Sequence, residues 1–223
     1  MPFGVPKVPF QSPEEEEASW VDLYNRLYRQ RLLFLGRELK EELANNLVSL
    51  MVFLNIDHPG WTQNLFINSP GGFVFSGLAV YDTMLAVDAR VRTLCVGLAA
   101  SMASIVLIGG IENKRAAFPH ARVMIHQPRM KEFEDLTSEV IRETRVLLDL
   151  RECITEIYVQ KTGQPHWVIT ADLEWDTYMS AKEAITYGII DTIAAKEKEG
   201  GEPDETKDEA GSLDTPHELG IVY

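Results

Sequence analysis

The sequence predicts an α/β domain, because short apolar strand patterns alternate with helical patterns between residues 20 and 193. A length of 223 residues suits one well-packed domain and is short for two. Apolar residues make up 45% of the chain and charged residues 25%, which is an ordinary balance for a folded domain. The long helical pattern over residues 136–160 is hard to bury in a domain of this size. We therefore expect it to project and to pack against another subunit.

The individual elements follow from the period of the apolar residues and from the glycines and prolines that interrupt it. The predicted strands are short and rich in apolar residues, and they cover residues 32–35, 64–67, 91–96, 115–118 and 122–125. The predicted helices have apolar residues three or four positions apart, and they cover residues 20–28, 43–54, 76–89, 101–109 and 136–160. Two further short helices are predicted on either side of residues 177–179.

Both ends of the chain differ in composition from the domain, which we place at residues 18–195. Residues 1–17 are rich in proline and then acidic, and we expect a flexible segment there. Residues 196–223 hold nine acids and three lysines, and we expect a disordered acidic tail. These ends carry most of the formal net charge of −13. This charge argues against nucleic-acid binding, which needs a basic face.

Several other classes of protein and site are disfavoured by the sequence. The longest apolar run, around residues 105–108, is far below membrane-spanning length. Residues 1–17 contain no apolar signal core, and their acids are untypical of transit peptides. Cys95 and Cys153 make no disulfide framework, and we interpret both as buried thiols. No histidines and carboxylates have metal-ligand spacing and no phosphate-binding loop is found, so no metal site is predicted.

Two turns with small residues can do chemistry. The turn over residues 68–72, Asn-Ser-Pro-Gly-Gly, contains two glycines that permit close backbone approach, so it can point an N–H at a developing oxyanion. Ser101 lies in Gly-Leu-Ala-Ala-Ser-Met-Ala-Ser, residues 97–104, after a predicted strand and at the start of a helix. The free N–H groups of that helix start would face whatever Ser101 attacks. The pattern is not Gly-x-Ser-x-Gly, so an α/β-hydrolase is not supported.

Each candidate residue also has a purely structural interpretation. A serine at a helix start is most often an N-cap, and a Pro-Gly-Gly sequence is most often only a turn. His126 ends an apolar strand, where a single histidine is more often a packed residue than a base. Asp176 carries no signal when taken alone. The other four histidines, at positions 58, 120, 166 and 217, are interpreted as structural.

The ordered combination of motifs resembles the family of Clp protease proteolytic subunits. The similar segments cover most of residues 20–193 in the family's order, and they lie at residues 66–72, 81–84, 97–104, 122–128 and 178–191. The start of the chain, at residues 4–10 and 19–22, is similar to the chloroplast-encoded form in particular.

This resemblance implies a crotonase-like (ClpP-type) α/β fold and a serine endopeptidase activity. Carried over residue by residue, it makes Ser101 the nucleophile, His126 the general base and Asp176 the acid that orients the histidine. The backbone N–H groups of Gly72 and Met102 would form the oxyanion hole. This assignment fits the chemistry, because a serine hydroxyl is a weak nucleophile until a base takes its proton.

The resemblance also implies the partners of the chain. Family members form heptameric rings with other subunits of the Clp proteolytic core, and two rings stack into a tetradecamer through the long helix. A Clp ATPase unfoldase of the HSP100 type feeds unfolded proteins into it, so the partner uses ATP and this subunit needs no cofactor. The implied location is the chloroplast stroma, with no nucleic-acid or membrane partner.

Some positions depart from the family pattern. Trp175 stands where members usually carry an arginine that joins contacts between the rings, just before the triad aspartate. Three residues, Asn64, Ala86 and Ala116, fall where members often have aromatic side chains that line chaperone-docking clefts. Ala103 replaces a glycine after the Ser-Met pair.

Two alternatives remain open at this stage. The chain could be a catalytically weak or structural ring subunit of a mixed Clp core, because related subunits exist that lack triad residues. It could also be a crotonase-type acyl-CoA enzyme, which would use backbone N–H groups without a Ser–His pair. The presence of all three triad residues favours the peptidase.

Overall fold

Strands and helices alternate along the chain in the computed structural model, which describes residues 4–10, 19–129 and 136–195. The strands are β1 Lys7–Phe10, β2 Ser19–Asp22, β3 Leu32–Leu35, β4 Gln63–Ser69, β5 Val91–Ala100, β6 Arg115–Ala117, β7 Arg122–Ile125, β8 Thr177–Ser180 and β9 Thr192–Ile193. The helices are α1 Leu23–Arg29, α2 Glu41–Asp57, α3 Val74–Ala86, α4 Met102–Ile108, α5 Thr137–Thr162, α6 His166–Leu173 and α7 Ala181–Tyr187. The predicted α/β class is confirmed.

A seven-stranded sheet forms the centre of the fold. The strands β3, β4, β5, β6 and β9 lie side by side in parallel. Each crossover between the first four contains a helix, α2, α3 or α4. β5 is long enough to pair first with β6 and then, near its end, with β7. β7 pairs in turn with β8 in the antiparallel direction. As a result, the carboxyl end of β5 meets the carboxyl end of β7 beside the start of β8.

Apolar helix faces cover this sheet and form its core. Every residue of α4 is buried, although the helix is only seven residues long. The buried face of α2 repeats at helical spacing, as the sequence pattern predicts, and consists of Ala44, Leu47, Met51 and Leu54. Among the residues that the structure describes, no helix combines the length and the apolar composition needed to span a bilayer.

The long helix α5 is covered by the rest of the chain only over its second half. Ile154, Thr155 and Tyr158 are buried, whereas Ile141 is 61% exposed and Leu148 56% exposed. An apolar stripe of this kind needs a partner to leave water. The projection of this helix and its role in contact between rings stay predictions.

The N-terminal region contains two strands, β1 and β2, that the sequence interpretation did not predict. Residues 20–28 were expected to form one helix, but β2 continues to Asp22 and α1 begins only after it. The Asp22 side chain accepts a hydrogen bond from the Tyr24 N–H at 2.8 Å, which caps α1 at this residue. Residues 7–10 lie in the segment expected to be flexible, yet they form β1, which pairs with β2.

Other predictions for the chain ends fall where the structure gives no description. Residues 1–3, 11–18 and 196–223 lie outside the described residues, so the acidic tail and the domain boundaries stay predictions.

Of the two cysteine thiols, only Cys95 is buried, and burial raises its pKa to about 12. Cys153 is exposed, which corrects the prediction that both are buried.

A buried ion pair joins β6 to the segment before β9. Arg115 is 6% exposed, and its guanidinium donates to Asp191 at 2.6 Å and 3.1 Å, while its backbone N–H donates to the same carboxylate at 2.9 Å. Burial raises the pKa of Asp191, but these hydrogen bonds outweigh burial and leave the pKa below its ordinary value. The charged form of Asp191 therefore stabilises the fold.

Replacing Asp191 with asparagine is expected to lower the free energy of unfolding by roughly 3 kcal/mol, because an arginine stays buried without its counter-charge. The pKa in the folded state is lowered, so this stabilisation is complete above the unfolded pKa of about 3.9 and is lost as the pH falls through the folded pKa. Urea unfolding of both proteins from pH 7 to pH 3, at one subunit concentration, measures the difference. Glu38→Gln is the control, since its ion pair with Lys40 is exposed. Equal losses in the two variants would contradict the prediction.

Candidate active site

Strand pairing places Ser101 next to His126. The parallel register of β5 and β7 sets Ala100 beside Met124. Ser101 follows the end of β5 and His126 follows the end of β7, so the two residues lie close together. The Ser101 N–H donates to the Met124 carbonyl at 2.9 Å, which fixes the backbone of Ser101 to β7. The two side chains then meet, with His126 Nε2 2.9 Å from Ser101 Oγ.

The antiparallel pair β7 and β8 brings Asp176 to the other side of the imidazole. Ile125 is opposite Thr177, so His126 and Asp176 are the next pair of residues on the two strands. His126 Nδ1 lies 3.0 Å from Asp176 Oδ1. An ionised carboxylate only accepts hydrogen bonds, so Nδ1 carries the hydrogen. In the neutral ring Nε2 is then the acceptor that faces the Ser101 hydroxyl.

The conformation of Ser101 is unusual for a residue with a side chain. Its φ is 54° and its ψ is −127°, outside the main allowed regions for L-residues. Such a conformation costs about 1–3 kcal/mol and persists only where the surroundings impose it. Ser101 occupies the N-cap position of α4, but its side chain makes no capping hydrogen bond. The structure therefore does not support the interpretation of Ser101 as an ordinary helix cap.

The glycine turn packs directly against the nucleophile candidate. A Cβ built on Gly71 would lie 2.7 Å from Ser101 Cβ and 2.6 Å from the Ala100 carbonyl oxygen, and Gly71 has a φ of +90°. Only glycine combines this φ with such a close approach. The turn and the start of α4 therefore line the same small space.

The backbone N–H groups of Gly72 and Met102 were predicted to form the oxyanion hole, and both are left without a backbone acceptor in the elements around them. Gly72 forms a bridge with Leu39, but the bridge uses the Gly71 carbonyl and the Phe73 N–H, so the Gly72 N–H takes no part in it. Met102 is the first residue of α4, where an N–H has no acceptor within the helix. A Cβ on Gly72 would lie 2.2 Å from the Leu39 carbonyl oxygen, so a side chain does not fit there. The role of both groups stays a prediction.

Arg129 is a residue of the site that sequence reasoning missed. Its guanidinium forms an ion pair with Asp176 Oδ1, the oxygen that also accepts from His126. The pair is solvent-accessible, with 59% of the arginine side chain and 43% of the aspartate side chain exposed. In the sequence, Arg129 appears only as a basic residue directly after His-Gln-Pro at 126–128. Its position does not distinguish it from an ordinary surface arginine.

Of the two residues before Asp176, Glu174 is held by polar contacts and Trp175 has an exposed side chain. Glu174 accepts from Arg151 at 2.5 Å and from the Gln127 side chain at 3.3 Å. The Gln127 N–H donates to the Leu173 carbonyl at 2.8 Å, which ties the residue after His126 to this segment. Trp175 is 77% exposed, so the position that departs from the family pattern presents a large apolar surface.

The three positions predicted to line docking clefts lie on other elements of the fold. Ala116 is buried in a small apolar cluster with Leu94 and Ala194, against which two aromatic side chains pack. Asn64 is half-buried on β4, and Ala86 is exposed at the end of α3. Among the described residues, no three histidine, cysteine, aspartate or glutamate side chains are grouped closely enough to hold a metal ion.

A serine, a histidine and an aspartate joined by two hydrogen bonds, with the serine at a helix start, form the arrangement found in serine hydrolases. Comparison with known sequences identifies the family: the chain belongs to the Clp protease family, whose sequence model matches residues 14–197. This family consists of serine endopeptidases. The resemblance predicted from the motifs is thus confirmed.

Individual relatives are similar over nearly their whole length. The ATP-dependent Clp protease proteolytic subunit of Pelargonium hortorum is 57% identical over 214 residues, which cover 89% of this chain and 98% of that protein. The chloroplastic ATP-dependent Clp protease proteolytic subunit 1 of Arabidopsis thaliana is 58% identical over 196 residues, covering 88% of this chain and 100% of that protein. The subunit of Nicotiana tabacum has the same identity and coverage. These matches favour a peptidase over an acyl-CoA enzyme.

Proposed function

We propose that this chain is a serine endopeptidase subunit that cleaves unfolded polypeptides inside a barrel-shaped, ATP-dependent Clp complex. The observation that carries the proposal is the hydrogen-bonded series Ser101–His126–Asp176, with distances of 2.9 Å and 3.0 Å. These distances are within the reach that proton transfer between a nucleophile and its base requires. Family membership supports the same activity.

The geometry suggests the following steps. Ser101 Oγ attacks the carbonyl carbon of the scissile peptide bond, and His126 Nε2 takes the hydroxyl proton. The imidazolium then gives this proton to the leaving amine, and water repeats the sequence to release the acyl group from Ser101. Asp176 keeps the Nδ1–H of the ring in place and stabilises the imidazolium. The N–H groups of Gly72 and Met102 stabilise the negative charge on the carbonyl oxygen.

The proposed assembly is a tetradecamer of two stacked heptameric rings, shared with other subunits of the Clp proteolytic core. The exposed apolar half of α5 supports a subunit contact at this helix. We assign ATP use to a partner Clp ATPase of the HSP100 type and no cofactor to this subunit, since its sequence has no phosphate-binding loop. The chloroplastic relative of Arabidopsis thaliana supports a plastid location, and we propose the stroma.

A second function, that of a catalytically weak or structural ring subunit, is favoured by one observation. The guanidinium of Arg129 pairs with Asp176 at the oxygen that accepts from His126. A cation at this position competes with the imidazolium for the same carboxylate, which would weaken the stabilisation of the charged histidine.

Labelling of the native complex with a fluorophosphonate separates the two functions. The expected result is one covalent adduct on Ser101, located by mass spectrometry of the peptide that contains it. Ser104 lies three residues further on and is 0% exposed, so it is an internal control that must stay unlabelled. A Ser101 that stays unlabelled in an assembled, folded complex would establish the structural role instead.

A further inference from the structure

A buried pair of hydroxyl groups, from Ser104 and Tyr158, contacts the backbone of Ser101. Ser104 Oγ is 2.6 Å from the Ser101 carbonyl oxygen and 2.7 Å from the hydroxyl of Tyr158. Ser104 is 0% exposed and Tyr158 is 1% exposed, so water does not compete for these hydrogen bonds. Tyr158 belongs to α5 and is 54 residues away from Ser104 in sequence, so the contact joins two distant parts of the chain.

The direction of these hydrogen bonds follows from the number of hydrogens. A carbonyl oxygen only accepts, so Ser104 uses its single hydroxyl hydrogen to donate to Ser101. Ser104 Oγ must therefore accept from Tyr158, whose hydroxyl is the donor. Burial raises the pKa of Tyr158 well above its ordinary value, so the phenol keeps its hydrogen at neutral pH.

Both backbone polar groups of Ser101 are tethered by this arrangement. Its N–H donates to Met124, and its carbonyl accepts from both the N–H and the hydroxyl of Ser104, at 2.9 Å and 2.6 Å. A hydrogen bond from a serine to the carbonyl three residues before it is common and weak by itself. Here Tyr158 fixes the rotamer of Ser104, which fixes the direction of that hydrogen bond.

We infer that Tyr158 and Ser104 are positioning residues that hold Ser101 in its strained conformation, so that Oγ stays aimed at His126. The inference rests on the proposed function of Ser101 as nucleophile. A residue at φ 54° and ψ −127° relaxes when its backbone contacts loosen, and relaxation moves its side chain. The placement of α5 on the domain is thereby coupled to the geometry of the nucleophile.

Three variants of the full chain in its assembled complex test this inference: Tyr158→Phe, Ser104→Ala and the double variant. Each single change is expected to lower both the rate constant of fluorophosphonate labelling and kcat for a short fluorogenic peptide by about five- to tenfold. KM is expected to stay unchanged, because the pair does not touch substrate. The double variant is expected to be no slower than Ser104→Ala, since the two hydroxyls act as one series.

Tyr187→Phe is the matched control. This change also removes a hydrogen bond of a tyrosine hydroxyl, which donates to Asp172 at 2.7 Å. Tyr187 lies on α7 and does not contact Ser101, so the labelling rate should equal that of the unchanged protein. Labelling of Tyr158→Phe at the unchanged rate per titrated active site would overturn the inference while leaving the proposed function intact.

The inference would also be overturned if the rate reductions of the two single variants multiplied in the double variant. If Tyr158→Phe fails to assemble, the labelling rate constant of the smaller change, Ser104→Ala, tests the inference in its place. Absence of Ser101 labelling in the unchanged protein would count against the proposed function itself.

Discussion

Replacing Ser101 with alanine is expected to abolish peptide cleavage and to leave folding and assembly intact. In other serine peptidases, loss of the nucleophile lowers kcat on the order of 10⁶-fold, because the remaining groups offer no second route to an acyl-enzyme. The stability should hardly change, since the Ser101 side chain caps nothing in α4 and alanine, like serine, carries only one atom beyond Cα that bears on the backbone strain, its Cβ. Hydrolysis of a fluorogenic peptide and size-exclusion chromatography measure the two outcomes.

Ser180→Ala is the matched control for this experiment. Ser180 is a true cap, because its hydroxyl accepts from the Glu183 N–H and forms a capping box at the start of α7. Its loss should cost about 1 kcal/mol of stability and leave cleavage unchanged. The two serines at helix starts are thus expected to give opposite results. Substantial cleavage by pure Ser101→Ala assemblies would remove Ser101 from the proposed role.

The two strongest elements of the site could be predicted from sequence patterns together with the family resemblance. The apolar strand before His126 and the helix start at Ser101 are local signals: β7 forms where it was expected, and α4 begins one residue after its predicted start. Asp176 carries no local signal, because its position depends on the register of β7 and β8. Register is a property of paired strands and not of one segment, so only the resemblance pointed to this residue.

Other features depend on contacts that one segment of sequence does not contain. β5 was predicted to end at residue 96, yet it continues to Ala100, and the Asn68 side chain accepts from the Leu98 N–H at 3.1 Å along this extension. The small residues there have low strand propensity, and pairing with β7 overrides it. β1 was missed for the same reason, because its stability comes from pairing with β2 and not from its proline-rich sequence.

The contact of Arg129 with Asp176 could not be predicted, since a long side chain on an exposed segment can reach many partners. The hydrogen bond between Ser104 and Tyr158 could not be predicted from the sequence either. In the sequence Ser104 is one small residue in an apolar helix, and Tyr158 is one member of an apolar face. Both cases show that side-chain hydrogen bonds between distant segments require the fold before they can be assigned.

Replacing Asp176 with asparagine is expected to lower turnover on the order of 10⁴-fold, as in other triads with this change. The asparagine amide can donate to His126 Nδ1, which then becomes the acceptor and moves the ring hydrogen to Nε2. That hydrogen would point at Ser101 Oγ, so the ring could no longer take the hydroxyl proton. The fold should persist, because the ion pair lost with Arg129 is exposed and such pairs contribute about 0–1 kcal/mol.

Glu174→Gln is the control that separates this effect from a general loss of negative charge near the site. Glu174 is also exposed and also pairs with an arginine, Arg151, but it makes no contact with His126. Its replacement should leave kcat within about twofold of the unchanged protein, since exposed ion pairs contribute little. Steady-state cleavage of one peptide by both variants, normalised to assembled subunits, gives the comparison. If Asp176→Asn turned over as fast as Glu174→Gln, Asp176 would be a structural residue and another group would have to orient His126.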